Sequence, residues 1–224
     1  VSHRVVMRSV GLEVPANNDK PIIGIADSSS DLNPCNLPLR ALVDDVKAGI
    51  LEAGGLPVAF PVTSLGEDLM KASAMLYRNL LSIEIEENLR SYPLDGVVLL
   101  ANCDKSVPGA LMGALSANLP TIMVTAGARP APFFKGKKVG TGTDLWRALD
   151  DWRAGRMSDQ EWREFEECLS CGLGSCNTMG TASSVALMTE MLGFMLPGSG
   201  TIPANTDERR QSARAAGSRI VEMV

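Results

Sequence analysis

The sequence predicts an α/β domain in which layers of parallel sheet are flanked by helices. Short apolar runs alternate with longer segments whose apolar residues recur at helical spacing. Several runs are continuously apolar, as strands buried on both faces of a parallel sheet are. The predicted strands are residues 21–27, 56–60, 95–101 and 121–127. Ligands bind such sheets at the carboxyl ends of the strands, so a cofactor site is expected there.

The first half of the chain supplies three helical segments between these strands. The segment LRALVDDVKAGILEAGG carries leucine, valine and isoleucine at helical spacing, and Gly54 and Gly55 end it. Residues 71–92 predict one or two helices, closed by Pro93. After the third strand, Pro108 suits the first turn of a helix that GALMGALSANL fills.

The second half begins with residues 129–144, which are rich in proline, glycine and basic residues and predict a loop. Two short helices follow, LWRALDDWRAG and SDQEWREFEECL, and Ser158 with Glu161 forms a capping-box pattern at the second. A glycine-rich turn then leads into a helix, with Cys176 expected at its start. The methionines in and after this helix predict core packing, and SARAAGSRIVEMV predicts a last helix.

Composition excludes several classes of function. The 224 residues carry a net charge of -5, and no apolar run approaches the roughly 20 residues of a membrane span, so neither nucleic acid nor membrane is an expected partner. No signal peptide is expected at the N-terminus, and the odd count of 5 cysteines indicates reduced thiols in the cytoplasm. Because His3 is the only histidine, catalysis must depend on cysteine, carboxylate, lysine or hydroxyl groups.

Three cysteines share one setting: Cys35, Cys103 and Cys176 each follow an apolar or glycine-rich segment and precede a predicted helix. A helix N-terminus lowers the pKa of a thiol, and thiolates bind iron–sulfur clusters. Each could instead be a small buried apolar residue. A competing group is Cys168 and Cys171 with Cys176, where the C-x-x-C spacing suits zinc or a redox disulfide but lacks a fourth ligand.

Asp104 and Lys105 directly follow Cys103 at a predicted strand end, and Glu67 lies in the loop after another strand. Two carboxylates at this edge would suit magnesium. The alternatives are an ordinary ion pair for Asp104 and Lys105 and a solvated position for Glu67. The basic stretch FFKGKKVGTGTD, residues 133–144, could bind phosphate, but it lacks the strand–loop–helix arrangement of phosphate loops and is more simply a mobile or interface loop.

Three motifs, NPCN, NCDKSVPG and GSCNTMGTASSVALMTEMLGFMLPG, closely resemble signatures of the dihydroxy-acid dehydratase/6-phosphogluconate dehydratase family. The spacing of the three cysteines agrees with the family pattern, and MLYRNLLSIEIEE extends the match between the motifs. The resemblance implies that Cys35, Cys103 and Cys176 hold an iron–sulfur cluster, [2Fe–2S] or alternatively [4Fe–4S]. It also implies that Glu67, Asp104 and Lys105 hold Mg²⁺, with Lys105 carbamylated.

The reaction that the resemblance implies is dehydration of a 2,3-dihydroxy acid to a 2-keto-3-deoxy acid. Two segments, residues 74–100 and 140–168, are more similar to sugar-acid (aldonate) dehydratases than to the branched-chain biosynthetic enzymes, which are the alternative. An iron–sulfur electron carrier and a thiol redox module are alternatives from other classes.

The resemblance also implies a domain organisation. Residues 1–224 would be the single N-terminal, cofactor-bearing domain of a longer homo-oligomeric enzyme, inactive alone. A β-rich C-terminal domain would supply the base and a further magnesium ligand. Cys168 and Cys171 fall outside the family triad and are expected to be structural.

Overall fold

A computed structural model describes residues 2–14 and 19–224. Its central sheet consists of β1 (Ile22–Asp27), β2 (Leu56–Pro61), β3 (Gly96–Leu100) and β4 (Thr121–Val124). All pairings are parallel, in the order β2-β1-β3-β4. The four predicted strands are confirmed, with the last ending at Val124 rather than at residue 127.

The predicted helices are also confirmed, together with an additional one near the N-terminus. They are α1 (Ser2–Ser9), α2 (Leu39–Glu52), α3 (Arg78–Ser91), α4 (Ser106–Ala117), α5 (Thr143–Arg153), α6 (Asp159–Leu169), α7 (Thr181–Met191) and α8 (Asp207–Met223). Short 3-10 turns cover Ala74–Tyr77 and Ser199–Thr201. The capping box between Ser158 and Glu161 is present at the start of α6. Among the described residues, none of the helices has the length and apolarity to cross a membrane.

The sheet is the middle of three layers. Successive residues of β3 point to opposite faces, so Val98 and Leu100 pack with α2 and α8. Val97 and Leu99 pack with α3 and α4 on the other face. All five residues of β3 are buried, which explains its unbroken run of apolar side chains.

The strand order sets the position of the site. From β1 the chain passes through α2 to β2 on one side, then crosses back through α3 to β3 on the other side. The loops after β1 and β3 therefore diverge at neighbouring strand ends, and this divergence leaves a crevice where α/β proteins bind ligands. Cys35 follows β1 and Cys103 follows β3, so both lie at the crevice.

Helices α2 and α8 pack unusually closely. Gly217 of α8 lies against the backbone of α2, where a Cβ atom would overlap the carbonyl oxygen of Val46. Arg210 pairs with Asp45 at 3.0 Å along the same contact. The last helix is therefore an integral part of the three-layer domain.

The expectation that residues 129–144 form a loop is wrong in part. The segment 129–144 is not only loop, because Phe133–Phe134 (β5) and Lys137–Lys138 (β6) form a short antiparallel hairpin. Phe134 of the hairpin packs against an apolar cluster that α5 and α6 form together. Within this cluster it makes an edge-to-face contact with Phe165 of α6.

The methionines of α7 were predicted to pack in the core, but Met188 is 57% exposed and Met191 is 86% exposed. Only Met195, after the helix, is buried as predicted. Val185 is the residue of α7 that packs against the core cluster of α3 and α4. The helix therefore turns much of its apolar surface outward.

Candidate functional site

The three cysteines of the predicted triad converge on one cavity. Cys35 lies in the loop between β1 and α2, Cys103 between β3 and α4, and Cys176 in the turn before α7. The cavity has a volume of about 170 Å³ and is lined by Cys35, Cys103, Cys176, Glu67, Asp68 and Asp104, with residues at the start of α7. Cys35 and Cys103 are buried and Cys176 is half-buried.

Hydrogen bonding among the three thiols shifts their pKa values in opposite directions. The pKa of Cys35 is raised by its hydrogen bonds to Cys103 and Cys176, and by burial. The pKa of Cys103 is lowered by the hydrogen bond from Cys35. That of Cys176 falls to about 6, first through the hydrogen bond from Cys35 and then through the charge of Arg129. The surroundings therefore favour the protonated form at Cys35 and the thiolate form at Cys103 and Cys176.

The expected place of Cys176 at a helix start is wrong. Helix α7 begins at Thr181, and Cys176 lies in the irregular segment before it. This segment is fixed by backbone contacts instead: Gly174 donates to the carbonyl of Pro34 at 3.2 Å, next to Cys35. Gly174 has a φ of +136°, and a Cβ atom there would lie 2.7 Å from the amide nitrogen of Arg129. Only glycine fits this turn without strain.

The predicted magnesium ligands also lie together. Lys105 Nζ is 2.5 Å from Asp104 Oδ2 and 3.1 Å from Glu67 Oε2. Burial acts to lower the pKa of Lys105, but the hydrogen bonds to Asp104 and Glu67 outweigh it and the pKa is raised. Two carboxylates are thus held on either side of one amine at the edge of the cysteine cavity.

Asn36 is a site residue that the sequence analysis missed. It is completely buried, and its Oδ1 accepts from the backbone nitrogens of Asn102, at 3.1 Å, and Cys103, at 2.8 Å. Its Nδ2 donates to Ser28 Oγ at 2.9 Å and Ser106 Oγ at 3.1 Å. One amide side chain therefore fixes the loop of Cys35 against the loop of Cys103.

Asn102 extends this connection to the third loop. Its Nδ2 donates to the carbonyls of Cys35, at 2.8 Å, and Gly127, at 3.0 Å, while its Oδ1 accepts from Gly127 N. The Gly127 carbonyl in turn accepts from Ser175 N, directly before Cys176. Both asparagines are sequence neighbours of the predicted cysteines, and that adjacency was the available signal.

Cys168 and Cys171 make contacts of a different kind. The thiol of Cys168 donates to the Phe133 carbonyl at 3.4 Å, and that of Cys171 to the Pro130 carbonyl at 3.1 Å. Asn177 donates to the same Pro130 carbonyl at 3.0 Å. These thiols hold the segment before and within β5, and neither residue lines the triad cavity.

The side chains at the site include the ligand types of an iron–sulfur cluster and of Mg²⁺. Thiolates are the ligands of iron–sulfur clusters, and carboxylate oxygens are those of magnesium. The thiols contact one another, and Lys105 lies between the carboxylates. As placed, no three His, Cys, Asp or Glu side chains among the described residues form a group that could hold a metal ion.

Comparison with known proteins gives the family. Residues 20–224 match the model of the dihydroxy-acid/6-phosphogluconate dehydratase N-terminal domain. The chain belongs to this family. The match covers all three cysteine loops as well as the loop of Glu67.

Individual dehydratases of the family match nearly the whole chain. The L-arabinonate dehydratase of Rhizobium leguminosarum bv. trifolii (strain WSM2304) is 44% identical over 224 residues, which is 100% of this chain and 39% of that protein. The 6-deoxy-6-sulfo-D-gluconate dehydratase of Pseudomonas putida is 43% identical over 223 residues, 100% of this chain and 38% of that protein. The dihydroxy-acid dehydratase of Clostridium botulinum (strain Eklund 17B / Type B) is 35% identical over 229 residues, 100% of this chain and 41% of that protein. The chain thus spans about two fifths of the length of these relatives.

Proposed function

We propose that the chain is the cofactor-bearing part of a hydro-lyase that dehydrates a 2,3-dihydroxy sugar acid to a 2-keto-3-deoxy acid. The observation that carries the proposal is the convergence of Cys35, Cys103 and Cys176 from three separate loops on one cavity. The carboxylates of Glu67 and Asp104 line the same cavity. Membership of a family of dehydratases supports this reaction class.

In this proposal Cys35, Cys103 and Cys176 hold an iron–sulfur cluster, [2Fe–2S] or alternatively [4Fe–4S]. Three thiolates from one chain are one fewer than the usual four cysteine ligands of a cluster. The low pKa of Cys176 and the lowered pKa of Cys103 favour the deprotonated form that ligation requires.

Glu67, Asp104 and Lys105 would hold Mg²⁺, with Lys105 as its carbamate. An ammonium group repels a dication, whereas a carbamate carries a carboxylate and adds an oxygen donor. This assignment is supported by the contacts of Lys105 Nζ with Glu67 at 3.1 Å and Asp104 at 2.5 Å, because the amine lies between the two carboxylates.

When bound, the cluster would offer an open iron as Lewis acid for the departing 3-hydroxyl, and Mg²⁺ would orient the substrate and stabilise enolate charge. The chain's own residues fix the geometry. Asn36 and Asn102 hold the cysteine loops in register, and the buried sheet beneath excludes water from one side of the site. We propose that a further, β-rich domain of the longer protein supplies the base that removes the C2 proton and another magnesium ligand.

A sugar acid is the favoured substrate class. The relatives named for L-arabinonate and 6-deoxy-6-sulfo-D-gluconate are 44% and 43% identical to the chain, against 35% for the dihydroxy-acid dehydratase. The branched-chain dihydroxy acid is therefore the second candidate.

Anaerobic iron–sulfur reconstitution of this chain tests the proposal. Wild type is compared with Cys103→Ser, which removes a cavity thiol, and with Cys171→Ser, a matched control that removes a thiol outside the cavity. Iron, sulfide and the visible absorption spectrum are measured. We expect a cluster in wild type and Cys171→Ser, and at least a severalfold loss of bound iron in Cys103→Ser.

The converse result would overturn the proposal. If Cys171→Ser abolished iron binding while Cys103→Ser retained it, the ligands would belong to the local group of Cys168, Cys171 and Cys176. A thiol redox or metal module would then replace the dehydratase site as the best account of these cysteines.

A further inference from the structure

Cys168 and Cys171 are a pair of half-buried thiols outside the triad cavity. Cys168 lies in the last turn of α6, which ends at Leu169. Ser170 continues this turn, because its backbone nitrogen donates to the carbonyl of Glu166 at 3.2 Å. Cys171 follows directly, so the two thiols are separated by one helical turn at the end of α6.

This spacing brings the two cysteines within reach of each other. Residues three apart on a helical turn have Cβ atoms about 5–6 Å apart. A disulfide needs Cβ atoms about 3.5–4.5 Å apart, and Cα atoms about 4.4–6.8 Å apart. A small displacement of Cys171 towards Cys168 would therefore allow the bond to form.

Both thiols also face one short segment of the chain, residues 130–133. The thiol of Cys168 donates to the Phe133 carbonyl at 3.4 Å, and the thiol of Cys171 donates to the Pro130 carbonyl at 3.1 Å. The two side chains therefore extend to the same side of the end of α6. In the reduced state they attach segment 130–133 to this helix.

The surroundings of Cys171 leave room for the displacement. Cys171 lies beyond the end of α6, and the next residue, Gly172, is exposed and has a φ of +148°. A Cβ atom at Gly172 would meet Pro130 Cδ at 3.5 Å, which is an ordinary contact. Glycine changes its backbone angles at low cost, so Cys171 can approach Cys168 without disturbing the helix.

We propose that Cys168 and Cys171 are a thiol–disulfide pair that a low-molecular-weight disulfide oxidises, and that oxidation detaches segment 130–133 from α6. The thiolate of Cys171 attacks one sulfur of the reagent, which forms a mixed disulfide and releases one thiol. The thiolate of Cys168 then attacks the sulfur of Cys171, which closes the protein disulfide and releases a second thiol. The protein loses two protons and two electrons, and these reduce the reagent to its two thiols.

The closed disulfide has no S–H group, so the carbonyls of Phe133 and Pro130 both lose a donor. The Pro130 carbonyl also accepts from Asn177 Nδ2 at 3.0 Å, directly after Cys176. Segment 130–133 thus lies between the end of α6 and the loop of Cys176, and oxidation releases the contact with α6. The inference requires neither metal nor substrate and is independent of the proposed function.

The first experiment exposes the full chain, without metal and without oxygen, to hydroxyethyl disulfide. This neutral reagent is chosen because Glu166 and Glu167 are exposed at the end of α6 and would repel an anionic disulfide. Free thiols are alkylated, the disulfides are reduced and alkylated with a second label, and tandem mass spectrometry assigns each label. We expect Cys168 and Cys171 to be oxidised together, severalfold faster than the buried thiols of the triad.

A matched variant isolates the closing step. Cys168→Ser keeps a hydroxyl donor for the Phe133 carbonyl but cannot close the disulfide, so the mixed disulfide should accumulate on Cys171. In wild type this intermediate should not accumulate. A persistent mixed disulfide on Cys171 in wild type, or a disulfide of Cys171 with Cys176, would overturn the inference.

The second experiment measures detachment of the segment by amide hydrogen exchange. The backbone nitrogen of Val139 donates to the Pro132 carbonyl at 3.0 Å, so its exchange reports on segment 130–133. We expect oxidation to accelerate this exchange about three- to tenfold, the range for loss of one hydrogen bond, and to leave the amide of Val98 in β3 unchanged. The double variant with Cys168→Ser and Cys171→Ser should show no response to the reagent. Equal exchange at Val139 in the oxidised and reduced wild type would refute the detachment.

Discussion

Asn36 shows how much of the site depends on one uncharged side chain. Its Oδ1 accepts two backbone N–H groups of the Cys103 loop, and its Nδ2 donates to the hydroxyls of Ser28, in its own loop, and Ser106, at the start of α4. Buried donors without an acceptor are costly, so replacing this residue affects several loops at once. The cysteines alone do not determine the geometry of the cavity.

Replacing Asn36 with alanine should destabilise the chain by about 2–6 kcal/mol, because two buried N–H groups lose their acceptor at about 1–3 kcal/mol each. Urea denaturation followed by circular dichroism measures the change. Asn88→Ala is the matched control, since Asn88 is half-buried and its Nδ2 makes one hydrogen bond, to Glu84 O on the same helix. A loss in Asn36→Ala no larger than in Asn88→Ala would contradict this account.

At the scale of elements, the close contact between helices α2 and α8 can be tested by a single substitution. Gly217 of α8 has no room for a methyl group against the Val46 carbonyl of α2. In an isolated helix, alanine would be favoured over glycine by about 1 kcal/mol. Here the helices would have to separate, and overpacking of this kind costs about 1–3 kcal/mol or more.

We therefore expect Gly217→Ala to lower the free energy of unfolding by about 1–2 kcal/mol despite its better helix propensity. Thermal and urea unfolding measure it. Ser212→Ala, a half-buried position on the same helix, should be neutral or slightly stabilising. If Gly217→Ala stabilised the chain as Ser212→Ala does, the close contact of α2 with α8 would be wrong.

At the scale of the whole molecule, the features that could be predicted from the sequence are those that depend on the local pattern of residues. The four strands were predictable because β1 and β3 are nearly continuous apolar runs, and the cysteines because they follow strand ends. The convergence of Cys176 with Cys35 and Cys103 was implied by the resemblance to the family and not by the positions of the cysteines in the sequence. The structure brings its loop there through contacts such as Gly174 with Pro34.

Features that depend on long-range partners could not be predicted in this way. Asn36 bonds to residues 66 and 67 positions away, and nothing in its local sequence indicates those partners. Met188 and Met191 have the helical spacing of core residues, yet they face outward because Val185 and its buried neighbours already fill the contact with the core. Periodicity indicates that a helix has an apolar face but does not say what covers that face.

The proposed magnesium site couples the loop after β2 to the loop after β3, so metal binding should stabilise the domain as a whole. A ligand at 100 times its dissociation constant adds about 2.7 kcal/mol, equivalent to about 5–10 °C in Tm for a domain of this size. Carbamate formation needs carbon dioxide, so Mg²⁺ should raise the Tm of wild type more with bicarbonate than without it.

Lys105→Met removes the amine that would carry the carbamate while leaving Glu67 and Asp104 in place, so any metal bound by the carboxylates alone is retained. The bicarbonate-dependent part of the Tm shift should disappear in this variant and persist in Lys138→Met, where an exposed lysine is lost. Differential scanning fluorimetry with Mg²⁺ and bicarbonate varied independently separates the two contributions. A shift that is equal with and without bicarbonate in wild type would exclude the carbamate, because carboxylates alone respond to Mg²⁺ but not to carbon dioxide.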